Sequence, residues 1–179
     1  QAVTLGEEAG KANLYDYKNT SMDIARRQIF HYLLMANSQN TDGSGGSSGL
    51  AELTGNDLIV SLGNWGLVTT PAAQLNKLVN IQAATIMHEF GHNLGLRHGG
   101  NIDTNYIPNY YSIMNYEYQI YGLPTIGNAR EGDRYYYYRY SDVDNFSAGS
   151  AFKQYFPSGI TDMHNNYQTT SFKMDFSDG

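Results

Sequence analysis

One stretch limits what this chain can fold into more than any other. It is TIMHEFGHNLGLRHGG, Thr85 to Gly100, and it holds three of the five histidines among 179 residues. The run Ile81–Leu94 reads as a helix. On a helix, His88 and His92 project from one face, one turn apart. Glu89 lies about 100° round from His88. His98 is six residues past His92, so a continued helix would carry it about 9 Å further along and aim it elsewhere. Gly95 removes the difficulty, because glycine accepts the left-handed backbone that ends a helix and lets the chain fold back. Gly91, inside the same helix, costs about 1 kcal/mol against alanine, which predicts a packing reason for it.

Two imidazoles at this spacing suit nitrogens about 2.0–2.1 Å from one zinc ion, with His98 as third ligand and a fourth position open to water. Glu89 need not be a ligand, but it can reach a water held on the metal, the arrangement of H-E-x-x-H zinc peptidases. The rival reading is three unrelated histidines on a helix and a loop. The longer pattern H-E-x-x-H-x-x-G-x-x-H fixes five positions, and a chance match in a chain of this size is roughly one in 10⁴ to 10⁵ at ordinary residue frequencies. The metal site is the stronger reading.

The rest of the chain is less sharply patterned. Asn13–Tyr17 suggests a short strand, and Ser21–Gln28 a helix capped by Thr20 or Ser21. Ile29–Ala36 reads as a buried strand, Asn37–Gly49 as a glycine-rich surface loop, and Asp57–Leu62 as a strand ended by Gly63. A short helix is expected after Pro71, and another around Ser141–Tyr155. His31 and His164 are read as structural or exposed. Asp and Asn cluster in the loops His98–Asn105 and Asp142–Asn145. These are candidate calcium sites, although neither matches a full calcium-loop pattern.

HEFGHNLGLRH, followed downstream by YYSIMNYEYQ (Tyr110–Gln119), resembles the metzincin superfamily of zinc endopeptidases, whose signature is the long histidine motif plus a Met-turn. The resemblance implies an α+β (mixed α/β) zincin fold. It would have a twisted mixed sheet, an active-site helix, and a cleft between an upper and a smaller lower lobe. In one catalytic domain, 1–98 would form the N-terminal subdomain and 99–179 the C-terminal one. It assigns His88, His92 and His98 to zinc, Glu89 to general base and Met114 to the apolar floor of the Met-turn. Tyr116 matches the tyrosine that, in astacin-like and serralysin-like members, approaches the metal and supports the tetrahedral intermediate. Gly99 stands where astacins carry glutamate and serralysins proline, so neither group fits. The texture of Gly49–Gly63, with the two motifs, is closest to microbial pappalysin-like members.

The function implied is a zinc-dependent endopeptidase acting on an extended protein or peptide. The substrate would pair with an edge strand expected at Ser61–Thr70, unless Trp65 there packs on the helix instead. Tyr118–Ile126 would wall the pocket for the side chain after the cut bond. The tyrosine run Tyr135–Tyr140 offers either a ligand-contact patch or a packed edge. A catalytically silent zinc-binding recognition module is the alternative, and the intact Glu89 argues against it. A net charge of −6 with no basic stripe argues against nucleic acid. No run of about 18 apolar residues suggests a membrane span. The chain lacks cysteine, which leaves its redox compartment open, and it starts at Gln1, which reads as trimmed or processed; a secreted or extracellular monomer is expected.

Overall fold

Asn13 sets where the first helix begins. Its side chain accepts a hydrogen bond from the Tyr15 amide at 2.9 Å and caps α1, Leu14–Ser21. This places helix where a strand was expected at Asn13–Tyr17, and an irregular turn where a helix was expected at Ser21–Gln28. Thr20 and Ser21 look like N-caps in sequence, but their hydroxyls donate backwards, to the carbonyls of Asp16 and Tyr17. They therefore satisfy the end of one helix instead of starting the next. The computed structural model describes residues 1–107, 110–120, 122–123 and 174–176. The helix expected at Ser141–Tyr155, the tyrosine run Tyr135–Tyr140, His164, the loop Asp142–Asn145 and residues 121 and 124–126 of the expected pocket wall lie outside the described residues.

The main sheet has three strands: β3 (Tyr32–Met35), β4 (Gly49–Ala51) and β5 (Asp57–Val60), in the order β3-β5-β4. β3 runs parallel to β5 and β4 antiparallel to it, so the sheet is mixed. A separate parallel pair joins β1 (Val3–Thr4) to β2 (Ala12–Asn13). All four residues of β5 are buried, because apolar partners cover both of its faces. Ile59 packs with Val3 and Leu14 of β1 and α1, while Val60 packs with Ile81 of the long helix.

That helix, α2, runs unbroken from Ala72 to Asn93. It merges the short helix expected after Pro71 with the one expected at Ile81–Leu94. Its end is clasped by the loop before β5. The amides of Thr54 and Gly55 donate to the carbonyls of His92 and Asn93 at 3.0 and 3.1 Å, and the Asn93 side-chain amide donates to the carbonyls of Glu52 and Asp57. His31, read as structural or exposed, is exposed, with its Nδ1 2.9 Å from Asn93 Oδ1 and its ring in edge contact with Phe90.

A buried polar cluster ties α1 to the same loop. The Lys18 ammonium lies 2.7 and 2.8 Å from the two Asp57 carboxylate oxygens. Glu52 accepts from the Tyr15 hydroxyl at 2.6 Å and from the amides of Asn56 and Asp57. The bond to Glu52, with burial, pushes the Tyr15 phenol up to about 12. Removing one member of a buried ion pair strands the other charge, at a cost of about 3–5 kcal/mol. Lys18→Ala should lose stability on that scale in urea unfolding, and Lys18→Met combined with Asp57→Leu should recover most of it.

Candidate metal centre

The glycine inside α2 explains how the site is assembled. A Cβ on Gly91 would collide with the Met114 sulfur and come within 2.8 Å of the Phe176 ring. The helix and the turn carrying Met114 are thus in direct contact at this point, and only glycine allows it. Met114 is fully buried, in a cluster with Ala84 and Ile113. Its turn is fixed internally: the Asn115 amide donates to the Ser112 carbonyl at 3.0 Å, and the Met114 amide to Ser112 Oγ at 3.1 Å. Asn115 then accepts from the Glu117 amide and caps the short helix α3, Tyr116–Gln119.

At the helix end, Leu94 is the last near-helical residue and Gly95 takes φ +93°, the reversal the sequence required. His88, His92 and His98 come together, with one ligand atom from each lying within 4.8 Å of the others. The ring centroids are 4.8, 5.3 and 4.9 Å apart pairwise. Two rings have their second nitrogen engaged. His88 Nδ1 lies 2.9 Å from the Ile113 carbonyl in the Met114 turn, and His92 Nδ1 lies 2.8 Å from the Leu96 carbonyl just past Gly95. A carbonyl can only accept, so each Nδ1 carries the proton and each Nε2 is left as a lone-pair donor. At the third ring the Asn105 side chain acts as an acceptor that favours the protonated form, against the larger effect of burial. Burial lowers the basicity of all three, most for His88, which falls to about 3. Three neutral imidazoles, oriented from behind and facing a common point, are a donor set that fits zinc.

Glu89 lines the same cleft, of about 520 Å³, and its carboxylate lies against the main chain of β4. A Cβ on Gly49 would overlap Glu89 Oε1 and Cγ, so that glycine makes room for the acid. Tyr116 stacks on the cluster, its ring 4.1 Å from His98 and 5.7 Å from His88. Gly99, the position that departs from astacins and serralysins, is also tightly enclosed: a Cβ would come within 2.6 Å of Ile107 and 2.8 Å of Ile102. Neither glutamate nor proline could stand there without moving that loop.

The expected edge strand is corrected: among the described residues the edge strand beside the cleft is β4, and residues 61–70 form no strand. The chain turns at Leu62–Trp65, and Trp65 packs with Val60, Leu62 and Ile81 while also lining the cleft. β4 is three residues long and follows a Gly/Ser run, too short to show the alternation that marks a strand. Of the expected pocket wall Tyr118–Ile126, Gln119 and Ile120 line the cleft, while the Tyr118 ring is fully buried and stacked on Tyr111. Sequence reasoning also missed Asn105 and the carbonyls of Ile113 and Leu96, and no residue type announces a backbone acceptor. In the loop proposed for calcium, Asp103 pairs with Arg97. Among the described residues, no helix is long and apolar enough to cross a membrane.

Burial raises the Glu89 carboxyl to about 8. In the metal-free protein the folded state then keeps a proton that the unfolded chain releases near 4.5. A carboxyl raised on folding favours the folded state below its unfolded value, and the advantage is lost as pH rises towards 8. With metal chelated, the denaturation midpoint of the wild type should therefore fall relative to Glu89→Gln as pH rises from 5 to 8. A constant difference across that range would contradict it.

A family profile described as metallo-peptidase family M12B, reprolysin-like, matches residues 3–99, from β1 through the third histidine. No curated protein and no solved structure shows a significant match. The family match supports the metzincin superfamily and does not reach the narrower pappalysin-like placement. It covers more than half of the 179 residues, and its last part contains the helix, the reversal at Gly95 and the histidine cluster: the chain belongs to the reprolysin-like metallo-peptidases of family M12B.

Proposed function

We propose that this protein is a zinc-dependent endopeptidase, with His88, His92 and His98 as the metal ligands and Glu89 as general base. The observation that carries the reading is the placing of a buried carboxylate in one cleft with three neutral, pre-oriented imidazoles. Zinc held there would supply Lewis-acid polarisation and a water of lowered pKa. Glu89 takes a proton from the attacking water and delivers it to the departing amine nitrogen. The Tyr116 hydroxyl donates to the oxyanion as charge develops, a role that the approach of its ring to His98, 4.1 Å between centroids, supports. Met114 fills the space behind the ligand helix and touches no reacting atom.

The substrate lies extended along β4. In the antiparallel ladder Leu50 pairs with Ile59, and the amide of Ser61 donates to Ser48 while that of Glu52 donates to Asp57. The main-chain groups of Ala51 and the amide of Gly49 therefore face away from β5, as an edge for another strand, while the Gly49 carbonyl accepts from Ser47 Oγ at 2.7 Å. The reading includes one catalytic domain, with 1–98 as its N-terminal subdomain and 99–179 as its C-terminal one. The finer pappalysin-like placement rests on sequence texture alone. The reading includes a secreted monomer that binds neither nucleic acid nor membrane, consistent with the net charge of −6.

The test is zinc content together with cleavage of an unfolded general protein substrate, wild type beside Glu89→Ala. One zinc per chain in both proteins, with cleavage reduced at least 10³-fold in the variant, is expected from loss of the proton carrier. Zinc without cleavage by the wild type would favour the recognition module, and absence of zinc would remove the reading altogether.

A further inference from the structure

Two non-glycine residues among those described have positive φ: Thr54 at +55° and Tyr106 at +57°. A β-branched or bulky residue in that region is a backbone outlier that its surroundings must enforce. Tyr106 lies at the cleft, and Thr54 adjoins it. Thr54 follows Leu53, which lines the cleft beyond the end of β4, and Tyr106 lines it from the segment after His98. For Thr54 the enforcing contact is visible, since its amide caps the His92 carbonyl. For Tyr106 the ring leans edge-on to Tyr116 at 5.9 Å.

Burial does not account for the apolar side chains these turns display. Leu53 and Tyr106 are each 42 % exposed. Elsewhere the strained backbone of an exposed loop would be relieved by glycine or asparagine. Strain kept at a cleft, together with two exposed apolar side chains, points to a ligand.

The direction of β4 says which part of a ligand. A peptide pairing antiparallel to β4 has its C-terminal portion beside Ser48 and its N-terminal portion beside Ala51 and Leu53. Resting on the peptidase reading above, we infer that Leu53 and Tyr106 form a subsite for an aliphatic or aromatic side chain on the N-terminal side of the cut bond, and that Tyr106 is held in a strained backbone to present its ring there. The flat ring and the leucine offer contact area and no charge, and the two carboxyl groups that also line the cleft, Asp103 and Glu89, disfavour acidic side chains.

The test uses the zinc-loaded protein and a panel of peptides varied at single positions N-terminal to the cleaved bond. Wild type is expected to favour leucine or phenylalanine over aspartate at least tenfold in kcat/KM at one of those positions. Tyr106→Gly and Tyr106→Asn both relieve the left-handed strain. Each should raise the thermal midpoint, or leave it unchanged, while lowering that preference at least fivefold, mainly through KM. Leu53→Ser should flatten the same position. A variant that loses stability but keeps the preference would make Tyr106 merely structural and overturn the inference. So would a wild-type profile flat on the N-terminal side, with cleavage otherwise normal. No cleavage of any peptide by zinc-loaded wild type would instead remove the peptidase reading and this subsite with it.

Discussion

The contact between Gly91 and the Met114 sulfur is the constraint on which the metal centre depends. It fixes how closely the turn at Ser112–Asn115 approaches α2. That approach brings the Ile113 carbonyl to His88 Nδ1 at 2.9 Å, and so selects which nitrogen of the ring is free. It also sets where α3 begins, and thereby where Tyr116 stands against His98. Any side chain at Gly91 would push the turn away, with the orientation of His88 and the placing of Tyr116 going together. The price of glycine in mid-helix, about 1 kcal/mol in propensity, is offset by burial of Met114 and Ile113.

A second constraint acts from the sheet side. The loop Glu52–Asp57 caps the end of α2, carries the buried carboxylate of Asp57 to Lys18, and leads into the central strand. One short segment therefore holds the end of the ligand helix, α1 and the sheet together. On the same side of the molecule, Gly49 leaves room for the Glu89 carboxylate. Burial there makes the acid reluctant to ionise in the chain alone, and a dication at the three histidines would oppose that.

The site was more legible than the fold around it. Helix period, a left-handed glycine and ligand chemistry are local properties, so His88, Glu89, His92, His98 and Gly95 could be read together from one stretch, and the structure brings the three histidines to one point. The misreadings fall where the local signal is shared between outcomes. Thr20 and Ser21 suit the start of a helix and also its end, and only the packing of α1 on β1 and β5 decides between them. Likewise Ser61–Thr70 and Gly49–Ala51 both precede the helix, and only strand pairing shows that the second is the edge.

By itself, then, the sequence determined the chemistry: two imidazoles and a carboxylate on a helix that must stop at Gly95, a third imidazole past that reversal, and a methionine turn to follow. The reason is that these are consequences of spacing along one chain segment. Tertiary structure decided everything that needs two segments at once. It chose which strand borders the cleft and which carbonyl orients each ring, it buried Tyr118 while leaving Gln119 and Ile120 at the surface of the cleft, and it put strain at Thr54 and Tyr106. Backbone acceptors, close approaches and enforced dihedrals arise from packing between distant residues, and no residue type in the sequence marks them.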